Sequence, residues 1–76
     1  MNYVAVLCFT RDVFNKWCKD LEIKEREKRY KIKYVCIQNM HNAEGMSYVN
    51  IVRLAGWWKM ERADEVEEYV ESHILK

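Results

Sequence analysis

Residues 2–9, Asn-Tyr-Val-Ala-Val-Leu-Cys-Phe, are apolar on both parities, with Tyr3, Ala5, Leu7 and Phe9 on one side of an extended chain and Val4, Val6 and Cys8 on the other. Alternate side chains of a strand point to opposite faces, so such a run has to be covered twice. It therefore belongs in the middle of a sheet with a layer packed on each side. A chain of 76 residues has little material left after building that much. Folding at this length buries only roughly 60 to 65% of the surface the unfolded chain exposes, so nearly every apolar residue is needed for the core. Hydrophobic residues at 50% and aromatics at 13% supply it, and they exclude a disordered or low-complexity chain. One domain is expected.

The remaining elements follow from periodicity and punctuation. Thr10 reads as an N-cap with Asp12 in the first helical turn, and the helix should run to about Leu21 with Val13, Phe14, Trp17, Cys18 and Leu21 as its buried stripe. Residues 22–29 read as a charged connection into which the helix frays. A second strand is expected over residues 30–38, with Lys31 and Lys33 outward, Tyr30, Ile32 and Tyr34 inward, and the continuous run Val35-Cys36-Ile37 at its end. Residues 39–47 hold Asn39, Asn42 and Gly45 and read as a loop with room for one helical turn. Residues 48–55 form a third strand ended by Gly56. A last helix over residues 61–75 carries Val66, Tyr69, Val70 and His73 on its apolar side, extended by Ala63 and Ile74. Phe14, Trp17, Leu21, Val66 and Val70 are the expected core.

The order strand, helix, strand, strand, helix fits two architectures. In one, an α/β fold with a minimal parallel sheet, the first strand is central and residues 39–47 cross back over the sheet. In the other, a truncated ferredoxin-like unit, the second and third strands form an antiparallel hairpin. A nine-residue connection is short for a parallel crossover, whereas the two-sided first strand favours the parallel sheet.

The pattern of an apolar strand, then Thr10-Arg11-Asp12-Val13-Phe14-Asn15-Lys16-Trp17, a second strand, a loop closing on Gly45, a third strand and Gly56-Trp57-Trp58 before a last helix resembles small, mostly uncharacterised bacteriophage proteins with a truncated Rossmann-like unit. The resemblance implies the parallel arrangement and a phage accessory protein in the host cytoplasm, and it carries over no activity. Cys8-Phe9-Thr10-Arg11 stands where a nucleotide-binding version of the fold has its glycine-rich turn, so dinucleotide or P-loop binding is not expected.

Chemistry-bearing residues are sparse. Cys8, Cys18 and Cys36 have neither zinc-ligand nor redox-pair spacing and read as reduced core residues. No metal and no cofactor are expected. His73 falls near the end of the last helix on its buried side, where the helix dipole favours it. Thr10 and Asp12 are already explained by capping, so an acid-base role with His41 is not needed. No apolar stretch is long enough to span a bilayer, and the N-terminal run lacks a basic lead and a cleavage site; a soluble cytoplasmic protein is expected.

Charge is polarised although the net is only +1. Residues 11–33 hold nine basic side chains against five acids, and residues 59–76 hold three against six. Glu61, Asp64, Glu65, Glu67, Glu68 and Glu71 form an acidic helix, of which Glu61, Asp64, Glu65, Glu68 and Glu71 are the expected contacts for a basic protein partner. Trp57 and Trp58, at the carboxyl end of the third strand where open α/β sheets bind ligands, point in different directions and should be unequally buried. The leading expectation is a non-catalytic protein-interaction module, a phage-type accessory or inhibitor docking on a host or phage protein. The alternative is a binder of nucleotide or single-stranded nucleic acid using Trp57 or Trp58 with Arg11 and Lys59, with His41 as a further candidate. Homo-oligomers are compatible with either reading, through an edge strand of the sheet; Lys31 and Lys33 protect the second strand better than the third is protected.

Overall fold

The computed structural model describes residues 2–75. Strand β1 (Asn2–Leu7) lies between β2 (Ile32–Ile37) and β3 (Asn50–Arg53), all three parallel, in the order β2-β1-β3. Val4, Ala5 and Val6 stand opposite Tyr34, Val35 and Cys36 on one flank and Asn50, Ile51 and Val52 on the other. The ferredoxin-like alternative fails because β2 and β3 never meet; β1 separates them. The short connection does not prevent the crossover, since β3 begins only at Asn50. Residues 38–49 are then available to cross, about the dozen a parallel connection requires.

Each face of β1 has its own core. Val4, Val6 and Cys8 pack with Phe14 of α1 (Arg11–Asp20) and with Leu54. Ala5 and Leu7 pack with Ile37, with Ala43 of α3 (Met40–Ala43), with Tyr48 and Met60, and with Ala63, Val66 and Val70 of α4 (Ala63–Ser72). The two-sided apolarity of the first strand is thus matched by a helical layer on each side.

Thr10 caps α1 as expected, its hydroxyl accepting the Val13 N–H at 3.4 Å. The charged connection, however, is a second helix, α2 (Ile23–Tyr30). Glu22 adopts a left-handed backbone, φ 50°, which ends α1 and redirects the axis. Ile23 is buried, and one turn later the Glu27 carboxylate accepts the Tyr34 backbone N–H at 3.1 Å, so α2 is held on β2 at both turns. Two expectations for the core change with it. Leu21 leaves the helical face at the end of α1 and is 40% exposed, while Val13, at the margin of the stripe, is also exposed. Tyr30 is not an inward strand residue but the last residue of α2, 59% exposed; Lys31 terminates the helix with φ 53°, and β2 starts at Ile32.

The third strand and last helix are shorter than the apolar runs that mark them. Tyr48 precedes β3 and pairs instead with the C-terminal segment: its N–H donates to the His73 carbonyl at 3.0 Å and its carbonyl accepts the Leu75 N–H at 2.7 Å. Gly56 takes φ 81° and turns the chain into a 3₁₀ turn (Trp57–Lys59). His73 lies beyond α4, exposed rather than on the buried side, because the helix ends at Ser72. Its ring stacks on Tyr69 at 4.1 Å, and Nδ1 is 2.8 Å from the Tyr69 carbonyl oxygen.

Trp17 is half-buried, edge-on to Tyr34 at 5.5 Å and tilted against Phe14 at 6.4 Å. Trp17→Ala should lower stability by roughly 2 to 4 kcal/mol, at the low end for an aromatic deletion because part of the ring already meets solvent. A urea midpoint equal to the parent's would show that this aromatic trio contributes no packing.

Candidate functional site

All five acidic candidates, Glu61, Asp64, Glu65, Glu68 and Glu71, are exposed, but they are not equivalent. The β1–β3 register sets Arg53 opposite Leu7, on the side of the sheet that α4 covers. From there its Nε donates to Glu67 and its Nη2 to Glu71, each at 2.6 Å. Carboxylates four residues apart lie one above the other on a helix, so one guanidinium reaches both. Arg62 pairs with Glu65, its Nε 2.6 Å from Oε2. Glu61, Asp64 and Glu68 have no ion-pair partner among the described residues. Glu67, which the sequence reading left out of the acidic candidates, proves to be the half-buried member that ties α4 to β3.

Glu61 also joins a shallow groove with Asn39, Met40, His41, Glu44 and Arg62. The fold therefore brings His41 and Glu61 to one groove from either side of β3, at the end of α3 nearest β2 and the approach to α4. Asn39 shapes this rim, its side chain accepting the Asn42 N–H at 3.2 Å, while Asn42 in turn accepts the Gln38 N–H at 3.1 Å.

The tryptophans are unequally buried, as their adjacency requires. Trp57 packs against the α4 side of the core and Trp58 is 62% exposed, the two rings meeting edge to face at 6.5 Å. Lys59 is exposed beside them. Arg11 is placed elsewhere: its guanidinium lies 5.9 Å from the Phe14 ring centroid on α1, and among the described residues no cation covers either tryptophan.

Two of the thiols meet inside the fold. Cys8 Sγ lies 3.3 Å from Cys36 Sγ and 3.7 Å from the Ile37 carbonyl oxygen, a meeting decided by the register of β1 on β2. Burial, reinforced by the hydrogen bond with Cys36, pushes the Cys8 thiol up to about 12. Burial, followed by the nearby Glu27 charge, also raises Cys18. A protonated thiol is a poor nucleophile and a poor ligand. Among the described residues no three His, Cys, Asp or Glu side chains are placed to hold a metal ion, and no helix is long and apolar enough to cross a membrane.

The third charged surface was visible in the sequence only as composition. Lys24, Arg26, Lys28 and Arg29 on α2, with Lys31 and Lys33 beyond it, are all exposed and none forms an ion pair among the described residues. Tyr30 stands among them with the Arg29 guanidinium 5.9 Å from its ring centroid. Assigning Tyr30 to a strand hid it; the signal that could have found it was the unbroken helical composition of residues 23–29. Comparison with protein-family models, with curated proteins and with solved structures finds no match for this chain.

Proposed function

We propose that the protein is a non-catalytic interaction module that docks a basic protein partner against α4. The observation that carries this reading is the division among the acids. The chain's own arginines engage Glu65, Glu67 and Glu71, while Glu61, Asp64 and Glu68 stay exposed and unpaired in the described structure. Asp64 and Glu68 share one face of α4, so they present charge in one direction. Exposed carboxylates of this kind contribute little to folding, yet they govern encounter with a partner of opposite sign. Trp58, in the turn leading into α4, provides an apolar anchor of the type that dominates interface energetics.

Reversal of Glu61, Asp64 and Glu68 to lysine tests the proposal. The triple variant should stay cooperatively folded, melting somewhat below the parent because Asp64 lies in the first turn of α4, and should lose a nuclease-resistant protein partner that the tagged parent retains, with the parent's capture weakening as salt is raised. Equal capture of the same partner by both proteins would remove α4 from the interface.

A further inference from the structure

The α1–α2 side of the sheet holds a second surface, of opposite charge and independent of the docking face on α4. Its organisation comes from how α2 is pinned. The carbonyls of Lys31 and Ile37 face β1, accepting the N–H groups of Asn2 and Cys8, so by alternation the Tyr34 N–H points away from β1 along the outer edge of β2. Glu27 accepts that N–H. One acid of the basic segment is thereby committed to the backbone, and the α2 side chains that remain outward are mostly cations.

Lys24, Arg26, Lys28, Arg29, Lys31 and Lys33 are exposed and have no carboxylate partner among the described residues, in contrast to Arg53 and Arg62 beside α4. Three of them, Arg26, Lys28 and Arg29, line an open groove with Leu21 and the exposed Tyr30 ring, while Lys31 joins Lys28 on the adjoining surface and Lys24 lies on the side toward α1. Glu22 and Glu25 line the same groove. Its composition is a row of unsatisfied cations beside an aromatic ring carrying an adjacent guanidinium. Phosphates along a strand neutralise the first, and an unpaired base stacks on the second. A duplex would offer the phosphates without a free base face for Tyr30.

We propose that the α2 surface binds single-stranded nucleic acid, with the phosphate backbone following Lys24, Arg26, Lys28, Arg29, Lys31 and Lys33 and one base stacked on Tyr30. The acidic α4 face of a second copy is the weaker fit, because three of its carboxylates are already engaged by Arg53 and Arg62.

The test is fluorescence anisotropy of a labelled oligothymidylate of about twelve nucleotides, within the site size of one small single-strand-binding domain. Affinity for the parent should fall steeply with added salt. Tyr30→Ala should weaken binding roughly 5- to 150-fold, the usual effect of losing one stacked base. Arg26→Glu with Arg29→Glu should weaken it further and flatten the salt dependence; Lys24→Gln with Lys28→Gln, which leaves the cation beside Tyr30 in place, should reproduce the flattening. Trp58→Ala should bind as the parent does. Binding that survives the Arg26/Arg29 and Lys24/Lys28 variants, or that Trp58→Ala abolishes while Tyr30→Ala does not, overturns the assignment. So does a parent that ignores the oligonucleotide but forms a dimer in sedimentation which the Arg26/Arg29 variant dissolves.

Discussion

Tyr48→Ala should abolish cooperative unfolding of this protein, whereas Tyr48→Phe should retain it at reduced stability. Tyr48 is the largest fully buried side chain, with no exposed surface. Its phenol donates to the Ala43 carbonyl at 2.7 Å, and its backbone joins the start of β3 to the segment after α4 through His73 and Leu75. Truncating a buried aromatic costs roughly 3 to 5 kcal/mol. At typical stabilities of about 0.05 to 0.15 kcal/mol per residue, a domain of this size holds only about 4 to 11 kcal/mol in total. The alanine variant also leaves the Ala43 carbonyl without its donor. Phenylalanine keeps the volume and loses only the hydroxyl, at about 1 to 3 kcal/mol for the orphaned acceptor. Urea denaturation followed by far-UV circular dichroism distinguishes them; an alanine variant with the parent's midpoint would show that Tyr48 does not join the two halves of that core.

Alkali should unfold the protein in two additive steps beginning near pH 9. In the unfolded chain a thiol ionises around 9.0 and a phenol around 10.0, while in the folded protein burial, aided at Cys8 by Cys36 and at Tyr48 by the neighbouring Tyr69, pushes both up to about 12. Between those values the unfolded chain releases protons that the folded one retains, so rising pH favours unfolding. The contribution is intact below pH 9, falls from there for Cys8 and from 10 for Tyr48, and is fully lost as pH passes 12. At about 1.4 kcal/mol per unit for each group, the loss is on the order of 3 to 4 kcal/mol by pH 11. Cys8 and Tyr48 belong to the cores on opposite faces of the sheet, so their effects should add. Cys8→Ala should move the onset toward pH 10, and Tyr48→Phe should flatten the later part of the decline. A urea midpoint constant from pH 8 to 11 in the parent would contradict the burial of both groups.

Several features were determined by local sequence. The two-sided apolarity of residues 3–8 is a property of consecutive residues, and only a central strand with two covered faces satisfies it, whereas Phe9, beyond the end of β1, is 46% exposed. Thr10 as a cap, Gly56 as the turn after the third strand, the buried Val66 and Val70, and the unequal fates of Trp57 and Trp58 likewise follow from side-chain chemistry and the strand and helix periods. What tertiary structure alone decided involves register and changes of axis. Glu22, Lys31 and Arg62 adopt left-handed backbone that their side chains do not favour, and packing on either side holds them there. Glu22 made residues 23–30 a separate helix, which exposed Leu21 and Tyr30 and placed Arg26, Lys28 and Arg29 around a groove. The register of β3 on β1 put Arg53 under α4 and divided the acidic helix into engaged and free carboxylates, while that of β2 brought Cys8 to Cys36. Periodicity reports which face of an element is buried, but it holds no information about which residue of a distant element stands opposite, and both proposed binding surfaces depend on that.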